Sequence, residues 1–291
     1  MRNQHSANDV TMAQISFTKM HGLGNDYIYV NTMLFPIENP SLLSQQWSDR
    51  HLGIGSDGLI LIGASEKADF SMRIFNRDGS EASMCGNGAR CVGKYVYDKG
   101  LTDKTVFTLD TRSGIKSIKL TLDGKDDVTF VTVGMGAAHP LRIMKDGKPQ
   151  LLIGEKLSLG GQTYMATAID IGNPHLVLFA HDTHPTDIES IGRQLEVSPM
   201  FSHGANIEFA QILDRNHIRM RVWERGSGIT QACGTGACAT AVAAAMAGYT
   251  DSRSCEITMD GGTLAVTWNP ITSEVEMTGT ATTVFEGTIH I

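Results

Sequence analysis

No stretch of the chain approaches the roughly 20 consecutive apolar residues that a membrane-spanning helix requires. Positions 1–14 are polar and lack the apolar run of a secretory signal, so they read as a disordered extension, with the fold starting near Ile15. Both absences point to a cytoplasmic protein without membrane contact. There is no Walker A pattern and no dinucleotide-binding glycine fingerprint after a βαβ start. Lys94 lies on a predicted helix, and nothing marks it as a pyridoxal phosphate anchor. No cofactor and no metal are therefore expected. Basic residues are in the minority, 24 against 31 acidic, and the net charge of -7 argues against nucleic acid as a partner. Cysteines number only five, an odd count that suits reduced thiols better than a disulfide framework. With 41% hydrophobic residues the chain can bury a core without such staples.

What the sequence does contain is itself, twice. Met72-Arg73-Ile74-Phe75 returns as Met220-Arg221-Val222-Trp223. Ten residues after Phe75 stands Cys85-Gly86-Asn87-Gly88-Ala89, and ten after Trp223 stands Cys233-Gly234-Thr235-Gly236-Ala237. The offset is 233 − 85 = 148, and it also links Gly24-Asn25 to Gly172-Asn173, Gly100 to Gly248 and Gly114 to Gly262. Unlinked matches at one offset indicate a duplicated unit, with two halves facing each other across a pseudo-two-fold axis and one cleft between them. Strand-like segments rich in β-branched and aromatic residues dominate each half, among them Tyr27–Val30, Leu59–Ile62, His175–Phe179 and Ile218–Trp223. Each half has one clear helix, Ala89–Lys99 before Gly100 and Ala237–Ala247 before Gly248, ending as a glycine C′ cap predicts. The fold class is α/β (α+β), two pseudo-symmetric domains, with the second helix small enough in its side chains to pack closely inside a curved sheet.

Cys85 and Cys233 each stand at the start of such a helix. A helix start carries roughly half a positive charge, which favours bound anions and, in principle, thiolate over thiol. The bare Gly-x-Gly backbone lets N–H groups point at a carboxylate. Two such motifs facing each other offer more. One sulfur can take a proton from a Cα while the other returns one to the opposite face, which is two-base stereoinversion.

The plainer readings differ by residue. Cys91, Cys238 and Cys255 read as buried, inert thiols. Shared zinc ligation is awkward, because the second cysteine of each motif turns away on its helix. A redox pair lacks the Cys-x-x-Cys signature. Arg225 fits either a structural ion pair with Glu224 or a two-pronged clamp on a carboxylate. Asn25, Asn76, Asn87, Asn173 and Asn206 each suit a turn or strand end. His175 is either a packed imidazole or a group that tunes a thiol.

Taken together, the chain resembles the diaminopimelate epimerases from near Ile15 to its C-terminus. The resemblance rests on Lys19-Met20-His21-Gly22-Leu23-Gly24-Asn25-Asp26, Arg50-His51-Leu52-Gly53-Ile54-Gly55-Ser56-Asp57-Gly58 and Phe75-Asn76-Arg77-Asp78-Gly79-Ser80-Glu81. It rests equally on Met84-Cys85-Gly86-Asn87-Gly88-Ala89-Arg90-Cys91, Gly172-Asn173-Pro174-His175, and Glu224-Arg225-Gly226 leading to Gln231-Ala232-Cys233-Gly234-Thr235-Gly236-Ala237. It implies catalysis by Cys85 and Cys233 and conversion of LL-2,6-diaminopimelate to the meso form for lysine and peptidoglycan synthesis. It implies substrate contacts from Asn25, Asn76, Gly86, Asn87, Asn173, Asn206, Glu224, Arg225, Gly234 and Thr235, and an influence of His175 and Glu224 on the thiols. It implies two curved, mostly antiparallel sheets, each wrapped around a central helix. The first would span 15–133, completed by a returning strand at 278–291, and the second 134–277. A homodimer is expected, with Phe285 at the contact where some members have Tyr. Gly58 stands where some members have Gln, so that side-chain contact is not carried over.

The two Cys-Gly motifs alone would also admit a proline or hydroxyproline racemase, but Arg225 and the Asn set argue for a substrate with a distal amino-acid end. A phenazine-type isomerase is expected to lack the cysteine pair. A non-catalytic amino-acid-binding protein or a redox sensor on the same scaffold is the rival from a different class, and both thiols in matched contexts speak against it.

Overall fold

The structure, a computed structural model, describes residues 14–145, 147–159, 161–181, 188–250 and 253–290. The expected extension falls outside these residues apart from Gln14, which already belongs to the first strand. The first half runs β1 (Gln14–Gly22), β2 (Asn25–Asn31), α1 (Pro40–Trp47), β3 (Gly58–Gly63), β4 (Phe70–Asn76), β5 (Glu81–Ala82), α2 (Gly86–Asp98), β6 (Val106–Thr111), β7 (Gly114–Leu122) and β8 (Val128–Ala137). Four short strands follow: β9 (His139–Pro140), β10 (Arg142–Lys145), β11 (Lys148–Leu151) and β12 (Glu155–Leu159). The second half repeats the pattern as β13 (Gln162–Asp170), β14 (Pro174–Phe179), α3 (Ile188–Glu196), β15 (Asn206–Ile212), β16 (His217–Glu224), β17 (Gly228–Thr230), α4 (Gly234–Met246), β18 (Ser254–Met259), β19 (Gly262–Trp268) and β20 (Glu274–Gly279). A last strand, β21 (Thr282–His290), closes the chain.

The offset found in the sequence holds element by element. The helices α2 and α4, and the strands β6 and β18, begin and end one offset apart. Pairing is repeated as well. β2 runs parallel to β3 and β14 to β15, each after a crossover through the outer helix. β4 runs parallel to β6 and β16 to β18, each after a crossover through the central helix. The remaining pairings are antiparallel. The shared glycines have a backbone reason. Gly24 and Gly172 turn at φ 83° and 93°, and Gly100 and Gly248 at 63° and 77°, where a Cβ would be strained. Both helix ends are Schellman motifs: Leu101 N–H bonds Val96 O and Tyr249 N–H bonds Ala244 O, at 2.9 Å each.

Packing follows from this layering. One buried cluster joins the central helices to the concave sheet faces, through Val92, Val96, Ile118 and Val131 in one half and Val242, Ala243, Ile218 and Ile257 in the other. The outer faces are covered by α1, with Trp47 against Ile28 and Leu59, and by α3, with Ile191 and Leu195 packed in the cluster that holds Ile207 and Trp223. Strand β3 is buried along its whole length because helices lie on both of its faces. The small side chains of α4 are buried without a break from Gly236 to Ala244. The sheet does not stop between the halves: β8 pairs with β20, and β20 with β19. The boundaries expected at 133/134 and 277/278 both fall inside these strands. The strand β21 pairs antiparallel with β1, with Gln14 opposite His290 and His21 opposite Thr282.

Candidate active site

Each motif cysteine is the N-cap of a central helix. Cys85 has φ −141° and ψ 111°, and Cys233 has φ −120° and ψ 110°, the extended backbone that a capping residue adopts. Each sulfur accepts a backbone N–H three residues on, Gly88 to Cys85 at 3.3 Å and Gly236 to Cys233 at 3.4 Å. The amides at the first two helical positions, Gly86 and Asn87, Gly234 and Thr235, have no intrahelical acceptor and are free for an anion.

Both helix starts open into one cleft of about 1130 Å³, lined by Asn25, Asn76, Cys85, Gly86, Asn87, Glu224, Cys233, Gly234, Thr235 and Phe285 among others. Met277 of β20 lies beneath the two starts; a Cβ built on Gly86 would sit 2.7 Å from its Cε and one on Gly234 3.1 Å from its Sδ. Both glycines thus fit closely against the flexible end of one methionine side chain.

The surroundings of the two sulfurs differ. Cys85 Sγ lies 3.3 Å from Asn25 Oδ1, with the Tyr27 hydroxyl on another side. Cys233 Sγ lies 3.6 Å from Thr235 Oγ1 and beside the Glu224 carboxyl, which also accepts from the Thr230 hydroxyl. Burial raises both thiols above the ordinary range, and this overturns the expectation that the helix starts alone would lower them. For Cys85 the Gly88 N–H and the Arg90 guanidinium pull the other way. Cys233, only 5% exposed, is pushed much further, with Glu224 and Glu208 adding to burial. The charges around the two sulfurs differ: the Arg90 guanidinium eases ionisation of Cys85, whereas two carboxylates oppose it at Cys233. Glu224 lines the same cleft as both cysteines, and its carboxyl bonds the Cys233 thiol. Its own pKa is raised by burial.

Four expected site residues do not line the cleft. Asn173 Nδ2 points to Thr235 Oγ1 at 3.5 Å, and its Oδ1 lies 3.1 Å from His175 Nε2. His175 is fully buried and bonds Glu208 Oε1 through Nδ1 at 2.6 Å. Asn206 Oδ1 takes the Arg225 backbone N–H at 2.9 Å. The Arg225 guanidinium donates to the His203 carbonyl at 2.7 Å, and no Arg225–Glu224 ion pair is found among the described residues. At Gly58 an added Cβ would meet the Phe75 carbonyl at 2.1 Å, so this backbone admits no side chain there.

The sequence reading missed Tyr27, Asp57 and Glu208. Glu208 was visible as the only acid in the apolar strand Ile207-Glu208-Phe209-Ala210. Tyr27 occupies the position of His175 one offset earlier, so the offset itself could have found it.

The other three cysteines are packed away. Burial lifts Cys91 and Cys255 to about 11 and Cys238 to about 12. A raised thiol pKa means the unreactive S–H form persists until the pH nears that value. Mild alkylation of the native protein at pH 8 is therefore expected to label Cys85 first and to spare Cys91, Cys238 and Cys255. Peptide mass mapping reads the order, and equal labelling of the buried three would contradict this packing.

Comparison with known proteins agrees with this geometry. The family model described as diaminopimelate epimerase matches residues 17–140 and 167–284. A diaminopimelate epimerase of Bacteroides thetaiotaomicron is 57% identical over 275 residues, 94% of this chain and 97% of its own. One from Parabacteroides distasonis is 53% identical over 280 residues, 95% of this chain and 98% of its own. Among solved structures, a Bacillus anthracis phenazine biosynthesis protein of the PhzF family superposes with a TM-score of 0.70 at 18% identity, covering 96% of this chain and 100% of that one. A hydroxyproline epimerase from Agrobacterium vitis, solved with bound trans-4-hydroxy-L-proline, gives 0.65 at 13% identity over 95% and 91%. These two share the fold, which by itself does not choose a substrate. The matched segments span both Cys-Gly motifs, and the chain belongs to the diaminopimelate epimerase family, which makes it an isomerase.

Proposed function

We propose that the protein converts LL-2,6-diaminopimelate to the meso form by proton transfer between Cys85 and Cys233, with no cofactor, as a step toward lysine and peptidoglycan. The observation that carries this reading is the placement of two N-cap thiols in one cleft that Glu224 also lines. In this reading the free amides of Gly86, Asn87, Gly234 and Thr235 hold the reacting carboxylate and stabilise the charge that develops as the Cα proton leaves. The substrate ammonium group beside the sulfurs favours thiolate and offsets their burial. Cys85 removes the proton on one face, and Cys233 supplies one on the other. His175 and Glu224 adjust Cys233, the former through Asn173 and Thr235. Asn25, Asn76, Asn173, Asn206, Glu224 and Arg225 orient the rest of the substrate.

The catalytic halves in this reading are 15–133 with 278–291, and 134–277. The protein works as a cytoplasmic homodimer through the exposed strand β21, where Phe285 packs edge-on against Phe17 at 6.0 Å. No helix among the described residues is long and apolar enough to cross a membrane.

The test is incubation with LL-diaminopimelate in deuterated water without added cofactor, followed by stereochemical analysis. The expected product is meso-diaminopimelate carrying deuterium at the inverted Cα. Unchanged substrate with no deuterium uptake would mean a binding protein on the same scaffold.

A further inference from the structure

The segment from Arg50 to Gly58 supplies no thiol and no helix start, yet Arg50 and Asp57 line the cleft. Asp57 Oδ2 accepts from Asn25 Nδ2 at 2.9 Å and from the Asp26 backbone N–H at 3.1 Å, while its Oδ1 accepts from Arg50 Nη2 at 2.9 Å. Arg50 also holds Asp26 at 3.0 Å, and the buried Lys19 pairs with Asp26 at 2.6 Å. Two cations and two carboxylates form a connected cluster that fixes Asp57 from several sides.

A carboxylate can only accept hydrogen bonds. It therefore selects the NH₂ side of the Asn25 amide and turns Oδ1 the other way. There Oδ1 meets Cys85 Sγ at 3.3 Å and Asn87 Nδ2 at 3.4 Å. The flipped amide would set oxygen against the Asp57 carboxylate and NH₂ against NH₂ at Asn87, two like-polarity contacts.

We propose that Asp57 is a positioning residue: by fixing the Asn25 amide with its oxygen toward Cys85, it keeps the Cys85 S–H hydrogen-bonded to that oxygen. Asn25 is also a substrate contact in the reading above, on which this inference rests for its consequence. Substrate that recruits the Asn25 oxygen removes the acceptor from the thiol, and Cys85 then ionises more readily. Binding and activation of the base are coupled through one side chain. The device is one-sided. One offset later Asn173 has His175 rather than a carboxylate as its partner, and Ala205 stands in the place of Asp57.

The measurement is the pH dependence of Cys85 alkylation by iodoacetamide, followed at that peptide by mass spectrometry. Tyr27 of β2, Arg90 of α2 and Glu224 of β16 also face Cys85 and are left intact in every variant. In Asp57→Ala the midpoint is expected to move to lower pH, and the rate at pH 7 to rise about fivefold, the size of one ordinary hydrogen bond. Asn25→Ala should shift the midpoint equally, and the double variant no further than Asn25→Ala alone. A folded Asp57→Ala with an unmoved midpoint, or shifts that add in the double variant, would overturn the proposal. If Asp57→Ala does not fold, Asn25→Ala decides alone, and an unmoved midpoint there overturns it. Alkylation does not require turnover. A shifted midpoint in a protein that fails to epimerise would reject the function proposed above and leave the Asp57–Asn25 coupling standing.

Discussion

Replacing either Cys85 or Cys233 by alanine is expected to abolish stereoinversion while the protein stays folded. Both faces of Cα need a proton carrier, and general acid–base catalysis of this kind contributes about 10²- to 10⁴-fold per group. The expected loss in kcat is at least about 10³-fold for each single variant, because no second group on the same face can substitute. The fold should survive. Each substitution removes a capping acceptor from one helix start, worth about 1 kcal/mol. Serine should rescue stability better than activity, since its hydroxyl caps well but is a far weaker base near neutral pH. The assay pairs optical analysis of the product with thermal melting. Either alanine variant turning over near the wild-type rate would end the two-base reading. The pH profile carries a sign as well. Burial raises both thiols, Cys233 more than Cys85. Activity should rise with pH as Cys85 ionises and fall again only when Cys233, the acid partner, loses its proton at higher pH.

Arg225→Ala should lose most of the preference for diaminopimelate over lysine, which keeps the chain and the distal amine but lacks the distal carboxylate. A hydrogen-bonded charge pair that becomes unpaired on truncation costs about 2–5 kcal/mol, so kcat/KM for diaminopimelate should fall by about 100-fold or more. The rate with lysine, already low, should change little. The guanidinium rests on the His203 carbonyl at 2.7 Å, outside the residues that line the cleft, so it must leave that acceptor to reach substrate. This makes the two roles of Arg225 separable. Its side chain is exposed, and loss of one bond to a loop carbonyl should cost about 1 kcal/mol or less in melting stability. A structural role predicts the reverse, a clear drop in melting temperature with full retention of substrate preference. Arg225→Lys keeps the charge without the planar fork and should remain impaired.

The duplication was legible because it leaves a doubled record of backbone demands. A glycine that turns at positive φ in one half must do so in the other, so the pairs Gly24/Gly172 and Gly100/Gly248 survive as matched letters. Helix starts were legible for the same reason, since Cys-Gly-x-Gly-Ala occurs twice. The sign of the thiol shift was not. A helix start is local and visible in a motif, whereas desolvation is set by everything folded around it, and for Cys233 desolvation wins. Glu208 was lost inside a strand, where one acid in an apolar run reads as a solvent-facing residue. Only the fold reveals that it points inward to His175. The resting place of Arg225 on His203 depends on a loop conformation that no spacing encodes.

The strand β21 has a consequence for how the molecule comes to exist. It is the partner of β1, although nearly the whole chain lies between them, and β20 likewise reaches back to β8. During synthesis the first half leaves the ribosome before β21 exists, so one edge of β1 has no partner strand at that stage. That edge stays open until Thr282–His290 have left the exit tunnel. The second half, made later, is the one that can close on strands already synthesised. Pairings of such long sequence separation are slow to form, because loop-closure entropy must be overcome before they contribute. The nascent N-terminal half is therefore the aggregation-exposed species of this protein.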